Sequence, residues 1–230
     1  MINAKQNLEW LKEQWNLRET KKIECPVPII DWLFPKMFLG ELYMLFAPTG
    51  TGKSTFLFAT AKKYAEKGNV LFVTREETII DLVPYMDSNI AEGLFLSEQY
   101  NVQDIKDNNI HYVFFDYIGS NGDFSWDALK ETTTQLTQDA LENDFLLFTA
   151  GQADNKLRSV AFDPEDYTKY TAEYISFSKH MLDKCAGAFY IVRQGNEETL
   201  RILPIKYRHG PLSNQMIDET GLDFSRREWK

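Results

Sequence analysis

A glycine-rich segment at positions 47–55, Ala-Pro-Thr-Gly-Thr-Gly-Lys-Ser-Thr, constrains the chain more than any other feature. The apolar run 42–46 before it is typical of a buried parallel strand, and residues 55–67 after it have the apolar spacing of a helix. Glycine lets the backbone approach an anion closely, and successive N–H groups at the start of a helix then face that anion. The segment therefore predicts a phosphate-binding loop.

Each polar residue of this loop has an expected role. Lys53 is expected to reach the β- and γ-phosphates of a nucleotide, and the Ser54 hydroxyl to ligate Mg²⁺. Ala47 stands where the first glycine of the pattern usually lies, and we expect the turn to tolerate it because alanine is the smallest residue with a Cβ. The predicted nucleotide-binding residues of the loop are Ala47, Pro48, Thr49, Gly50, Thr51, Gly52, Lys53, Ser54 and Thr55.

Composition limits the partners and the compartment. The 230 residues carry a net charge of −9, which argues against a broad nucleic-acid-binding face but allows local, salt-sensitive contacts on a few loops. No apolar run approaches the roughly 18 residues that span a membrane, and Met1–Trp15 is too polar for a secretory signal. Cys25 and Cys185 match no metal or redox spacing. We therefore expect a cytoplasmic protein with no membrane segment.

Apolar runs alternate with helical spacings after the loop. The predicted strands are 42–46, 70–73, 112–115 and 145–148. Residues 188–193 and 199–206 flank Gly195-Asn196 and predict an antiparallel hairpin near the C-terminus. The predicted fold class is α/β: a P-loop NTPase with a mostly parallel central sheet flanked by helices and a C-terminal antiparallel hairpin.

Residues 1–24 are predicted to form an N-terminal segment outside a domain formed by residues 25–230. Leu8, Leu11 and Trp15 recur at helical spacing and predict an amphipathic helix over residues 3–18. Amphipathicity alone does not name the partner of this helix. It packs on its own domain, or it reaches a neighbouring subunit as an arm.

Acidic residues at strand ends supply candidates for catalysis. Asp116 follows an apolar run and is expected to hold Mg²⁺. The next residue is Tyr117, so the base that activates water must come from elsewhere. Glu76 and Glu77 follow the strand expected to lie beside the phosphate-loop strand. Glu76 is our first candidate for the catalytic base and Glu77 the second.

Three further polar residues complete the candidate set. Gln152 follows the fourth strand, where an amide can sense the γ-phosphate. Lys206 and Arg208 lie two apart on a strand and point the same way. They are predicted to bind nucleotide, with Arg208 acting as an arginine finger on the site of another subunit. The alternative is a basic edge strand that discourages aggregation.

With these pieces together, residues 28–224 resemble the RecA-type ATPase core of the DnaB-type replicative helicases. The resemblance rests on 40–54, on the strand ending Thr74-Arg75-Glu76, on Phe114-Phe115-Asp116-Tyr117, on 149–152 and on Lys206-Tyr207-Arg208 with Gly210-Pro211. The double glutamate after Arg75 is also similar to the KaiC-type ATPases, which share the Lys-x-Arg finger. The separate N-terminal helical domain of the helicase family has no counterpart in this sequence.

The resemblance implies an ATPase that binds ATP and Mg²⁺ between the subunits of a homo-oligomeric ring, usually a hexamer, and moves along single-stranded DNA during replication. The expected DNA-binding loops are 119–123 and 154–169, with Lys156, Arg158 and Lys179 contacting phosphates; each could equally be a solvated surface cation. Two alternatives stay open. One is a RecA-like recombination or annealing ATPase, and the other is a KaiC-like regulatory ring without DNA activity.

Overall fold

The computed structural model describes residues 7–86, 90–116, 126–157, 179–193, 199–211 and 217–230. The strands are β1 (Lys22–Ile23), β2 (Met37–Phe38), β3 (Leu42–Ala47), β4 (Val70–Thr74), β5 (Leu94–Ser97), β6 (Tyr112–Asp116), β7 (Leu146–Gln152), β8 (Gly187–Val192), β9 (Leu200–Tyr207), β10 (Ile217–Glu219), β11 (Leu222–Asp223) and β12 (Glu228–Trp229). The helices are α1 (Leu8–Glu19), α2 (Pro28–Leu33), α3 (Lys53–Ala65), α4 (Ile79–Leu82), a 3₁₀ turn (Val83–Tyr85), α5 (Val102–Asp107), α6 (Trp126–Asn143) and α7 (Lys179–Lys184).

The central sheet has eight strands in the order β10-β9-β8-β3-β7-β6-β4-β5. The strands β8, β3, β7, β6, β4 and β5 are parallel to their neighbours in this part of the sheet. Strand β9 is antiparallel to β8, and β10 is antiparallel to β9. This architecture confirms the predicted α/β class, the mostly parallel sheet and the C-terminal antiparallel hairpin. The turn of that hairpin, at 195–196, lies outside the described residues.

One expectation about the sheet is wrong. Strand β4, which precedes Glu76, does not lie beside the phosphate-loop strand β3, because β7 and β6 stand between them. After α3 the chain returns to the sheet two strand positions away from β3, and the later strands β7 and β6 occupy the positions between them. Six short strands, β1, β2, β5, β10, β11 and β12, also have no counterpart among the predicted strands.

The two-residue period of the strands sorts the core onto both faces of the sheet. In β3, Tyr43 and Leu45 pack with the apolar face of α3, while Met44 and Phe46 pack on the opposite side with α6. Helices α2 and α3 cover the first face, and α5, α6 and α7 cover the second. The result is a three-layer arrangement in which the carboxyl ends of the parallel strands form one edge.

Helix α1 lies against the outside of this core by its C-terminal end. Arg18 contacts the Glu41 carboxylate at 2.9 Å and His209 at 2.9 Å, and its guanidinium stacks over Phe38. No residue of the helix is buried, and its exposed apolar side chains are Leu8, Trp10, Trp15 and Leu17. Among the helices in the described ranges, none is long and apolar enough to cross a membrane.

Candidate nucleotide-binding site

The phosphate loop joins the end of β3 to the start of α3, as the sequence predicts. Gly50 and Gly52 have φ angles of 75° and 102°, in the left-handed region that favours glycine. A Cβ on Gly52 would also lie 2.6 Å from Cε1 of Phe224, so only glycine fits there. Ala47 is the last residue of β3 and is fully buried. It is a strand residue rather than part of the turn, so its Cβ does not disturb the loop.

A cavity of about 560 Å³ opens beside this loop. Its lining residues come from five separate parts of the chain: Thr49, Gly50, Gly52, Lys53, Ser54, Thr55, Glu76, Glu77, Gln152, Arg193, Phe224 and Arg227. Strands β3, β4 and β7 all end at this edge of the sheet, which explains why residues distant in sequence meet there.

Lys53 and Gln152 are joined directly. Ala47 and Gln152 are register partners at the ends of β3 and β7, which places Gln152 beside the loop. Lys53 Nζ donates to Gln152 Oε1 at 3.3 Å, and Gln152 Nε2 donates to Thr49 Oγ1 at 2.6 Å. Burial lowers the pKa of Lys53, and the charges of Glu76 and Asp116 oppose that change. The predicted sensor amide therefore touches both the lysine and the loop.

Asp116 lies at the end of β6 and is 1% exposed. Burial raises the pKa of its carboxyl to about 7; a hydrogen bond from Ser54 opposes this change, the charges of Glu76 and Glu77 add to it, and Lys53 opposes it. Its Oδ1 atom is buried without a hydrogen-bond donor in the described part of the chain. An orphaned carboxylate oxygen beside a serine hydroxyl fits Mg²⁺, a hard cation that prefers oxygen ligands.

No cluster of three or more His, Cys, Asp or Glu side chains with metal-binding geometry occurs within the described ranges. This agrees with the Mg²⁺ sites of phosphate-binding loops, where the protein supplies one or two ligands and the phosphates and water supply the rest. Ser54 and Asp116 are the residues that could hold the ion.

The two adjacent glutamates have different surroundings. Glu77 forms a bidentate ion pair with Arg227, with N···O distances of 2.6 and 2.8 Å. Glu76 is exposed on the cavity side, close enough for its charge to act on Lys53 and Asp116. Glu76 therefore faces the phosphate loop, whereas Glu77 is occupied by the arginine.

Three residues that line the cavity were not predicted from the sequence as site residues: Arg193, Phe224 and Arg227. The Arg193 guanidinium lies 3.9 Å from the centroid of the Phe224 ring, and the ring lies against Gly52. These residues belong to no local motif and reach the site only through the fold, so no spacing signal could have found them. The one visible sign is the mixture of aromatic and basic residues in 224–229.

Lys206 and Arg208 lie away from this cavity. Arg208 N donates to Ala186 O, and Ala186 N donates to Leu42 O, which places Arg208 level with the first residue of β3. The phosphate loop follows the last residue of that strand, roughly 17 Å away at about 3.3 Å per residue. Lys206 Nζ donates to Leu182 O, and Arg208 Nη2 donates to Cys185 O at 3.3 Å, at the end of α7. Within one chain these two cations do not join the site.

The predicted DNA-binding residues are also apart from the cavity or outside the described residues. Lys156 is exposed, and its backbone N–H donates to Asp154 Oδ1. Arg158, the loop 119–123 and most of the loop 154–169 lie outside the described residues, and the side chain of Lys179 is not described. The DNA-binding assignments stay predictions.

Comparison with known proteins identifies the fold but no sequence family. No protein-family model matches the chain, and no curated protein matches it. The ATPase domain of the protein G40P superposes with a TM-score of 0.70 at 11% identity, covering 99% of this chain and 98% of that one. A DnaB-like replicative helicase, solved with its interactions with primase, gives 0.71 at 10% identity, covering 98% of this chain and 66% of that one.

A KaiC-like protein from the hyperthermophilic archaeon Pyrococcus horikoshii is a third similar structure. It superposes with a TM-score of 0.61 at 19% identity, covering 86% of this chain and 93% of that one. The chain therefore has the RecA-type P-loop fold that the ATPase domains of DnaB-like helicases share with KaiC-like proteins. Both structural resemblances drawn from the sequence are confirmed at the level of the fold.

Proposed function

We propose that this protein is an Mg²⁺-dependent ATPase of the RecA type, with residues 25–230 as its catalytic domain. The observation that carries the proposal is the convergence of Lys53, Gln152 and Glu76 on one cavity above Asp116. A buried lysine, a buried acid with an orphaned oxygen and an exposed carboxylate are the parts that phosphoryl transfer to water requires.

The chemistry follows from these positions. The loop N–H groups and Lys53 would hold the phosphates, and the Glu76 carboxylate would accept a proton from the attacking water. Gln152, bonded to both Lys53 and Thr49, would report the state of the terminal phosphate to the segment that follows it. Ser54 and Asp116 would hold Mg²⁺, whose charge offsets that of the phosphates when it is bound.

The proposal also places the active site at an interface between two subunits. Lys206 and Arg208 lie at the amino-terminal edge of the parallel strands and cannot reach the phosphate loop of their own chain. In a homo-oligomeric ring, hexameric in the simplest case, this edge would face the loop of the next subunit. Residues 1–24 would then act as an arm, since α1 exposes four large apolar side chains and buries none.

The partner that we propose for the ring is single-stranded DNA, with the enzyme acting as a helicase-type motor in replication. The supporting observations are the likeness to the structure of a DnaB-like replicative helicase and the position of Gln152 at the start of the predicted central loop. A KaiC-like regulatory ring is the second candidate, favoured by the double glutamate, the net charge of −9 and the likeness to the KaiC-like structure.

One set of measurements separates these functions. ATP hydrolysis by the intact chain should rise several-fold with single-stranded DNA, and Lys53→Ala and Glu76→Gln should abolish it. The mass measured by light scattering in the presence of ATP should be that of an oligomer. A variant lacking residues 1–20 should form an oligomer with fewer subunits. Hydrolysis without any response to DNA would favour the KaiC-like alternative, and DNA-dependent hydrolysis without strand separation would favour the recombination or annealing alternative. Absence of both ATP binding and hydrolysis would refute the proposal.

A further inference from the structure

The C-terminal hairpin β11–β12 reaches the loop that carries the two glutamates. Arg227, in the turn of this hairpin, is 9% exposed and has a φ of 51°, an uncommon conformation for a residue with a side chain. Both of its terminal nitrogens bond Glu77, Nη1 to Oε2 at 2.6 Å and Nη2 to Oε1 at 2.8 Å. Its guanidinium also stacks on the Tyr85 ring at 4.0 Å from the centroid.

The hairpin that presents Arg227 is fixed to helix α3, the helix that begins at Lys53. Trp229 Nε1 donates to Thr60 Oγ1 at 3.1 Å, and Lys62 forms an ion pair with Glu228 at 2.7 Å. The hairpin therefore connects the helix of the phosphate loop with the segment that follows β4.

The segment around Glu76 is held on both sides. Before Glu76, Thr74 Oγ1 donates to the Glu77 carbonyl at 2.6 Å, which closes a tight turn, and Arg75 N donates to Asp116 O. After it, the Glu77 carboxylate is held by Arg227. In the described part of the chain no hydrogen bond or ion pair is made by the Glu76 carboxylate, so its position depends on the backbone that these neighbours hold.

We propose that Arg227 is a positioning residue for hydrolysis: by holding Glu77 in a bidentate ion pair, it fixes the turn that aims Glu76 at the cavity. This inference rests on the proposed ATPase function and adds a division of labour between the glutamates. Glu76 acts on water, and Glu77 anchors the turn. A planar guanidinium suits this task because it grips both carboxylate oxygens at once, which a lysine cannot do.

The test is steady-state ATP hydrolysis by Arg227→Ala, Arg227→Lys and Glu77→Gln in the full chain. Arg227→Ala should lower kcat about 10- to 100-fold, because misplacement of a catalytic group by about 1 Å has effects of this size. KM should stay within about threefold of the parent, and Arg227→Lys should recover only part of the loss. Arg226→Ala is the matched control: it is the neighbouring arginine, it is exposed, and it should leave kcat unchanged.

A double variant tests whether Arg227 acts through Glu77. If it does, Arg227→Ala combined with Glu77→Gln should be no slower than Arg227→Ala alone, since both remove the same ion pair. Multiplied effects of the two changes would overturn the proposal. So would a raised KM with unchanged kcat in Arg227→Ala, which would mean that the arginine binds nucleotide directly.

Amide hydrogen exchange gives a readout independent of activity. Arg227→Ala should speed exchange in residues 75–78 while leaving the β3 and β7 amides unchanged; uniform acceleration would indicate general destabilisation and overturn the positioning role. Should Arg227→Ala not fold, Glu77→Gln, which keeps the side-chain size, carries the same prediction. If the unmutated protein hydrolyses ATP and Arg227→Ala and Glu77→Gln have the same kcat as it does, only the positioning role is refuted. If the unmutated protein neither binds nor hydrolyses ATP, the ATPase proposal is refuted as well.

Discussion

Asp116 shows how a single buried acid links binding and stability. Its ordinary pKa of 3.8 rises to about 7 in the folded chain, chiefly through burial. Between these two values the unfolded chain is ionised while the folded chain keeps the proton, so the group lowers stability progressively as pH rises. The full cost is reached above pH 7, and about three pKa units correspond to about 4 kcal/mol at most.

We therefore predict that Asp116→Asn stabilises the metal-free, nucleotide-free protein at high pH. The gain in melting temperature over the parent should be largest at pH 8 and should shrink as pH falls, approaching zero below about pH 3, where Asp116 of the parent is protonated in both the folded and the unfolded chain. Thermal unfolding in the presence of a chelator measures this difference. Added Mg²⁺ and ATP should stabilise the parent more than the variant, which lacks the charged ligand for Mg²⁺. A gain independent of pH would contradict the assigned ionisation.

The positions of the site residues could be predicted from the sequence, but the different surroundings of Glu76 and Glu77 could not. Lys53, Ser54, Asp116 and Gln152 follow apolar runs, and their shared position at one edge was predictable because parallel strands end together. The different environments of Glu76 and Glu77 were not, because they depend on Arg227, which lies 150 positions further along the chain. A contact of that range leaves no local trace in the sequence.

At the scale of the elements, runs of apolar residues predicted the long buried strands but did not predict the short ones. The runs at 112–115 and 145–148 correspond to β6 and β7, which are covered on both faces. Strand β5, by contrast, is only half-buried at the sheet edge and four residues long. The strand order was also beyond sequence reasoning, because a crossover from α3 can return to any position on the correct side.

The hairpin β11–β12 is small but closes the core over α3. Trp229 is 9% exposed, and its ring meets Phe56 edge-on with centroids 5.1 Å apart. Its indole N–H donates to Thr60. Because β11 and β12 pair only with each other, the hairpin is held to the domain by burial of this ring and by the ion pairs of Glu228 and Arg227.

We predict that Trp229→Ala lowers the free energy of unfolding by about 3–5 kcal/mol, as expected for a buried aromatic side chain. Urea unfolding should show a lower midpoint with an unchanged slope. Trp32→Ala is the matched control: this tryptophan is 45% exposed, and its removal should cost within about 0.5 kcal/mol. Equal losses in the two variants would show that the Trp229 ring stabilises the domain no more than a half-exposed tryptophan does.

At the scale of the whole molecule, the sheet separates two halves of one proposed active site. The phosphate loop lies at the carboxyl ends of the parallel strands, and Arg208 lies level with the start of β3 at the other end. The antiparallel direction of β9 produces this separation, because it carries the chain back from the site edge to the opposite edge. If Arg208 acts in the proposed site, it must do so on the phosphate loop of another copy of the chain.

Mixing two inactive variants tests that conclusion directly. Arg208→Ala should abolish turnover but still bind ATP, and Lys53→Ala should be inactive through loss of phosphate contacts. In a mixed ring, a subunit with intact Lys53 can meet a neighbour with intact Arg208, so about a quarter of the interfaces in an equal mixture should be complete. ATPase activity should therefore reappear on mixing. Arg201→Ala is the control: Arg201 lies on β9, which ends one residue before Arg208, and it is ion-paired with Asp218, so this variant should be active alone. If mixed Lys53→Ala and Arg208→Ala subunits form rings and remain inactive, Arg208 does not act across an interface, and its carbonyl contacts at the end of α7 are its structural role.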